Sequence, residues 1–309
     1  MKTVRILGAG PAGACAALAA IREGAAIELQ DRSTFPKHKV CGEFISPEIA
    51  PLLDGLGVLG RFLDARPFSV RRMALHFGNR SKRAALPEPA FGLSRYAFDH
   101  LLQPQTPTSA SGRADVVATG RPAASGHTTR LFGFKAHFTG PTDDAVELFF
   151  LNRAYVGINC VEGDRTNVCG LAPEDVLQAH GFEPESFMSH ALKARLSPLQ
   201  RSMKWIFTGP LEYAQRWDRQ DSYLAGDALS FVDPFTGSGL LCATITGALA
   251  GKHAARGIPI EQHIRTCRES IDRPFFFSSA LRRIAATEWA ERLVSFVPAR
   301  LLFRLTRPR

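Results

Sequence analysis

The 309-residue chain has no CxxC pair, and its six cysteines (Cys15, Cys41, Cys160, Cys169, Cys242, Cys267) form no ligand cluster with its histidines. That spacing argues against structural zinc and a disulfide framework, and fits a reducing compartment. No uncharged apolar run reaches the roughly 18 residues of a membrane span, and the N-terminus runs straight into an apolar strand pattern, so neither a span nor a signal peptide is expected. The cytoplasm is the expected location. Only one GxGxxG is present, which argues against a second dinucleotide-binding domain. Acidic residues are outnumbered, 29 against 38 basic, giving a net charge of +9. More than half of that excess falls between Ala280 and Arg309, where Arg282, Arg283, Arg292, Arg300, Arg304, Arg307 and Arg309 face only Glu288 and Glu291. Interleaved Leu293, Val294, Phe296, Val297, Leu301, Leu302, Phe303 and Leu305 suit either of two fates. One is a terminal helix pair docked on the core, interrupted at Pro298; the other is peripheral contact with a membrane interface. No nucleic-acid module accompanies the charge, so nucleic acid is not an expected partner.

With 45% hydrophobic residues the chain can bury a substantial core in one large or two ordinary domains. Gly8, Gly10 and Gly13 follow the apolar run Val4–Leu7 and open an alanine-rich helix, and Asp31 ends the next apolar stretch. Strand, glycines, helix, second strand and acid in this order predict a dinucleotide-binding βαβ unit. In it Gly8 makes the tight turn, Gly10 admits a pyrophosphate, Gly13 lets helix and sheet pack closely, and Asp31 meets a ribose.

Further along, the alternation of residues 69–77, the Gly78-Asn79 turn and residues 81–86 predict a hairpin outside that first sheet. Ser94 is placed to cap a helix from Arg95 to Leu102, and Ala114–Gly120 reads as another buried strand. Residues 131–150 and 154–171 predict a second, antiparallel sheet, followed by a helical segment over 173–192 and an extended run over 205–213. Ser222–Ala225 reads as a short strand, residues 239–249 as a helix, and 260–297 as two or more helices.

Several segments together resemble the FAD-dependent oxidoreductases of the aromatic hydroxylase and geranylgeranyl reductase-like superfamily. These are the N-terminal glycines, Phe35-Pro36-Lys37-His38-Lys39-Val40-Cys41-Gly42-Glu43, Leu93-Ser94-Arg95 with Phe98-Asp99, and Ala118-Thr119-Gly120-Arg121. The last is Gly226-Asp227 followed by Asp233-Pro234-Phe235-Thr236-Gly237-Ser238-Gly239. The resemblance runs from residue 1 to about 255. It implies an α/β architecture: a shortened Rossmann-like FAD-binding domain of the glutathione reductase type (1–68, 92–125 and 221–258), an antiparallel substrate domain (69–91 and 126–220) and C-terminal helices (259–309). It implies that Gly8, Gly10, Pro11, Ala12, Gly13, Asp31, Arg32, Cys41, Gly42, Arg95, Gly120, Gly226, Asp227, Pro234, Gly237, Ser238, Gly239 and Leu240 bind FAD. Arg95 is expected at the diphosphate, Asp227 at a ribityl hydroxyl, and the 237–240 helix start at the flavin edge where negative charge accumulates on reduction.

For catalysis the candidates are Cys41, expected beside the flavin ring, and Lys135 and His137, which alternate onto one strand face. That pair reads either as a group acting on an oxyanion or proton, or as a salt-bridged strand face. Tyr155 and Asn159 are candidates for the wall of a substrate cavity.

Two departures stand beside the resemblance. Relatives carry an additional parallel strand and a small β-meander before the Ala114 strand, where this chain has only Gln103–Arg113. A smaller sheet with a less protected edge and a partly open adenine pocket follows. Tyr155-Val156-Gly157-Ile158-Asn159-Cys160 also replaces the aromatic-rich substrate motif of the geranylgeranyl reductases, and no tryptophan-containing halogenase signature is present. The first functional expectation is a monooxygenase-type hydroxylation of a hydrophobic aromatic or polyketide-like substrate. Alternatives are reduction of prenyl double bonds and a shortened non-catalytic or partner-dependent flavin binder. NADH or NADPH is expected as a transient donor, or a partner protein delivers electrons.

Overall fold

The computed structural model describes residues 2–78, 80–104, 112–121, 130–151, 153–211, 215–218, 221–231 and 237–285. Asn79 of the expected hairpin turn, Pro234, residues 105–111 and the arginine-rich tail beyond residue 285 lie outside the described residues. The chain opens as β1 (Thr3–Leu7), α1 (Pro11–Arg22) and β2 (Ala26–Gln30), with β2 parallel to β1 from Thr3↔Ala26 to Leu7↔Gln30. Pro11 sits at the start of α1, where its missing N–H leaves no hydrogen bond unmade, and Pro11–Ala20 are all buried.

A two-residue β3 (Phe44–Ile45) and short helices α2 (Ile49–Gly55) and α3 (Leu59–Asp64) lead to the hairpin β4 (Phe68–Phe77) and β5 (Arg80–Gly92). Helix α4 (Arg95–Leu102) begins where the sequence places it, with the Ser94 hydroxyl accepting the N–H of Ala97 at 3.1 Å. Strand β6 (Val116–Val117) then returns to β1.

Next come β7 (Leu131–Thr139), β8 (Ala145–Leu151), β9 (Ala154–Val161) and β10 (Arg165–Pro173). The helical segment expected over 173–192 is two helices, α5 (Glu174–Ala179) and α6 (Pro184–Leu196). Gly181 and Phe182 turn left-handed between them, at φ +62° and +57°, which ends the first helix. Short strands β11 (Gln200–Arg201), β12 (Ile206–Leu211) and β13 (Tyr223–Leu224) precede α7 (Gly239–Arg256) and α8 (Ile260–Ala285). Where two or more helices were expected from residue 260, the described part is one continuous helix.

The strands form two sheets. The first is parallel, in the order β13-β6-β1-β2. With only four strands among the described residues, it leaves β2 as an edge. The second has nine strands, β11-β7-β10-β9-β8-β4-β5-β3, with β12 also on β7. It is mixed, not wholly antiparallel as expected. The hairpin docks its first strand against β8 in parallel, from Arg72↔Ala145 to Phe77↔Phe150. Alternation defines a strand's buried face but not its direction relative to a distant partner.

Helices α1 and α7 cross in direct backbone contact. A Cβ on Gly251 would lie 1.9 Å from the Ala16 carbonyl oxygen, and one on Gly247 2.2 Å from that of Ala12. This contact brings the start of α7, distant along the chain, beside the N-terminal glycine turn.

Candidate active site

The glycine turn between β1 and α1 is shaped by what its residues lack. A Cβ on Gly8, which has φ +102°, would meet the Ala118 carbonyl at 2.3 Å, and one on Gly13 would strike the Gly8 carbonyl at 1.7 Å. Gly10 differs: among the described residues, its own chain neighbours aside, the one atom within 4 Å of its absent Cβ is the Lys39 ammonium nitrogen, at 3.8 Å. The turn is packed behind and open in front. No side-chain hydrogen bond from Gly10 caps the start of α1, so among the described residues its first backbone N–H groups retain hydrogen-bonding capacity. Among the described residues nothing lies within 4 Å of a Cβ position at Gly239 or Gly120, and Gly226 rests on Ala12.

These elements open on one cavity of about 690 Å³. At one end it is lined by Gly10, Pro11, Ala12, Asp31, Arg95, Gly120, Gly226, Asp227, Gly237, Gly239 and Leu240, so widely separated parts of the chain converge as the sequence predicts. Cys41, Gly42, Tyr155 and Asn159 line it too. Gly8, Gly13 and Ser238 lie behind this surface, and Arg32 is exposed away from it. The far end is the apolar face of β4 and β8, with Met73, Leu75, Phe77, Leu148 and Phe150.

Asp31 accepts the N–H groups of Ala9 at 2.7 Å and Ser33 at 2.8 Å, so it shapes the turn while facing the cavity. The Arg95 guanidinium is held by Asp99 through two bonds of 2.6 and 2.7 Å. Burial opposes its charge, but Asp99 outweighs burial and keeps it protonated. Burial pushes the Asp227 carboxyl up, against the pull of Arg121, Arg95 and Lys39.

The segment containing Cys41 is clamped to the second sheet. Asn167 donates to the carbonyls of Cys41 at 3.2 Å and Gly42 at 2.9 Å, and Glu43 enters the left-handed region at φ +53°. The Glu43 side chain is fully buried. It pairs with the Lys135 ammonium, contacts His137 Nε2 at 2.6 Å and accepts the Arg95 N–H at 2.6 Å. Burial alone would raise the Glu43 pKa; Lys135 and His137 outweigh it and hold the carboxyl below the usual range.

Of the two readings of Lys135 and His137, the geometry matches the salt-bridged strand face and not groups acting directly on a ligand. Neither lines the cavity; both are spent on Glu43, so they hold the wall in place. Asn159 likewise donates to the Glu43 and Cys160 carbonyls, although it reaches the cavity surface. Burial raises the Cys41 thiol, outweighing the opposing effect of Arg95, which disfavours a thiolate. His38, Glu43 and His137 bring three ligand-type atoms within 4.8 Å of one another, but the Lys135 ammonium already balances the carboxylate.

Glu43, Lys39, Arg121 and Asn167 are thus site residues that the sequence-based assignment of roles missed. For Glu43 an indication was present: a lysine and a histidine two apart on the otherwise apolar run Phe132–Phe138 need a buried counter-charge.

No family model matches the chain. Its similarity to curated proteins is local: it is 43% identical to a menaquinone reductase of Mycobacterium tuberculosis over 60 residues, 19% of this chain and 14% of that protein. The match therefore spans about one seventh of that relative's length. Solved structures match almost throughout. A flavoprotein/dehydrogenase from Cytophaga hutchinsonii has a TM-score of 0.79 at 13% identity, covering 98% of this chain and 91% of that one. HpxO of Klebsiella pneumoniae, solved in complex with FAD and uric acid, has a TM-score of 0.70 at 15% identity, with 99% and 96% covered. A geranylgeranyl bacteriochlorophyll reductase-like protein of Thermoplasma acidophilum has a TM-score of 0.68 at 16% identity, with 99% and 91% covered. The fold is that of the FAD-binding Rossmann-type flavoproteins.

Proposed function

We propose that this chain, folded as the FAD-dependent oxidoreductases are, binds FAD and oxidises a hydrophobic small molecule by monooxygenase-type chemistry. The observation that carries the reading is the single cavity joining the glycine turn, the Asp227 turn and the start of α7 to an apolar sheet face. The residues fit the cofactor. Gly10 leaves the start of α1 open among the described residues, Gly237, Gly239 and Leu240 of the α7 start line the same cavity, and about 690 Å³ lies within the range of small-molecule and cofactor sites.

In this reading the α1 N–H groups and nearby cations hold the diphosphate, Asp31 accepts from the ribose, and Asp227 accepts from the ribityl chain. Bound there, FAD supplies two-electron redox chemistry and, once reduced, reactivity toward O2. The start of α7 places its positive dipole end where added charge is stabilised. Met73, Leu75, Phe77, Leu148 and Phe150 exclude water and receive the apolar substrate. NADH or NADPH would visit the open side of the cavity, or a partner reductase would supply electrons.

A second reading, reduction of a prenyl double bond, is favoured by the length of that apolar face and the local match to menaquinone reductases. The arginine-rich tail would then bring the protein to a membrane surface. Among the described residues no helix is long and apolar enough to cross a membrane.

The test is the visible spectrum of protein reconstituted with FAD, its bleaching by NADH or NADPH without oxygen, and then turnover under ¹⁸O2. Incorporation of ¹⁸O into an aromatic substrate supports the first reading, whereas anaerobic saturation of a polyprenyl quinone supports the second. Protein that binds FAD but catalyses neither reaction overturns both; protein that fails to bind FAD removes the flavin itself and leaves a shortened non-catalytic member.

A further inference from the structure

Among the described residues four lysines and arginines line the cavity, Lys37, Lys39, Arg95 and Arg121, and their surroundings separate them. Arg95 is locked on Asp99 by two short bonds. Arg121 donates to the Thr208 hydroxyl at 2.8 Å and lies over the Phe231 ring at 4.9 Å. Lys37 and Lys39 both approach the face of Phe35, at 5.5 and 5.4 Å. Lys39 alone among the four stands within 4 Å of the open side of the glycine turn, with Nζ 3.8 Å from the Cβ position of Gly10. It makes no ion pair with any described residue.

We infer that Lys39 supplies the neutralising charge for the diphosphate of the bound dinucleotide, a charge that Arg95, already paired with Asp99, does not supply. The inference rests on the flavin reading above and adds the residue on which its affinity depends.

A diphosphate at an uncapped helix start needs cations close enough to offset two negative charges. Arg95 is already neutralised by Asp99, so that pair carries no net charge toward the cavity. Lys39 is in the opposite condition. Burial, Arg95 and Lys37 all disfavour its ammonium, while Asp99 and Asp31 favour it without contacting it, and its pKa lies below the ordinary lysine value. A cation held in an electropositive, partly desolvated place gains most from an arriving dianion. An ammonium also suits this position geometrically: it acts as a point charge and can follow the oxygens on a flexible stem, where a guanidinium fork would need one planar arrangement.

The experiment measures FAD and riboflavin affinity by quenching of flavin fluorescence on apoprotein, for the unaltered chain, Lys39→Met and Lys39→Arg. Riboflavin has no phosphate, so it reports the ring pocket alone. The expected result is a loss of about 10- to 100-fold in FAD affinity for Lys39→Met, the size of a lost charge-assisted hydrogen bond. Riboflavin affinity stays within about twofold and Lys39→Arg recovers most of the loss, as retention of the charge requires. Equal FAD affinity in Lys39→Met overturns the inference while leaving the flavin reading intact. An equal loss for both ligands also overturns it, because the lysine would then be shaping the pocket. If the unaltered chain binds neither flavin, the flavin reading fails. ADP titration then decides Lys39 separately: weaker ADP binding in Lys39→Met upholds its diphosphate role, and unchanged binding ends it.

Discussion

The two sheets reach stability by opposite means. Around the parallel sheet, order comes from removing side chains. Residues 11–20 of α1 include six alanines and a glycine, all ten residues are buried, and α7 crosses with Gly247 and Gly251 against its backbone. Around the large sheet, order comes from long polar side chains carried into the interior: Lys135, His137, Asn159 and Asn167 reach out of β7, β9 and β10 to grip residues 41–43. The first arrangement fixes the distance between backbones and has almost no tolerance for added volume. The second fixes the position of a loop and has almost no tolerance for a lost charge. The cavity lies between them, so one wall is set by close packing and the other by electrostatics.

The sharpest way to break this contrast is Gly251→Val. Its Cβ would overlap the Ala16 carbonyl, and neither backbone can move without parting α1 from α7. The expected cost exceeds about 4 kcal/mol, read as loss of soluble protein or of cooperative urea unfolding. Gly55→Ala, at the end of α2 with nothing within 4 Å of its Cβ position, is the matched control and should be neutral or slightly stabilising. Normal stability in Gly251→Val would show that the helices are not in backbone contact.

Next in size is Lys135→Met, which leaves the Glu43 carboxylate buried without its ammonium. Removing one member of a buried pair costs about 3–5 kcal/mol. The double variant Lys135→Met with Glu43→Gln should recover part of that, since two neutral groups replace an unmatched charge. Urea unfolding at pH 7 gives both numbers; a cost below about 1 kcal/mol for Lys135→Met would mean that water reaches the pair.

The same contrast explains what the sequence makes legible. Gly13 and the Ser94 cap act within a few residues of their partners, and Gly8 and Gly10 belong to the same short pattern, so their spacing states their roles. The two helices expected to converge on the cavity carry their own small-residue patterns. The Glu43–Lys135 pair joins positions 92 residues apart, and no local period encodes it. Direction was equally hidden. The alternation of residues 69–77 identifies a half-buried strand, yet nothing in it says that the neighbour is β8 or that the pairing is parallel. The expected helix over 173–192 failed at Gly181 because a single glycine is compatible with either a helix interior or its end.

The smallest expected effect separates the two regions by pH. On the parallel-sheet side, His263 of α8 is buried and bonds the Leu224 carbonyl of β13 at 2.9 Å through Nε2, while its Nδ1 faces His253 Nδ1 at 3.2 Å. Cys267 Sγ and the Tyr223 ring also face it, and Lys252 and Arg256 act on His253. Burial brings the His263 pKa down from 6.5 to about 4, with the Leu224 bond opposing and His253 assisting. Between those values the unfolded chain binds a proton that the folded chain refuses, so stability must fall as pH drops through this window, by on the order of 3 kcal/mol in full. On the other side, the Glu43 pKa is held below its ordinary 4.5, so its contribution is complete above that value and is lost only as pH falls further. Urea midpoints from pH 7 to 4 should therefore decline through the His253–His263 contact, where burial lowers both imidazoles, and His263→Gln, which keeps a donor for Leu224, should flatten that decline at the cost of some stability at pH 7. An unchanged slope in His263→Gln would move the acid sensitivity of this window away from the α8–β13 contact.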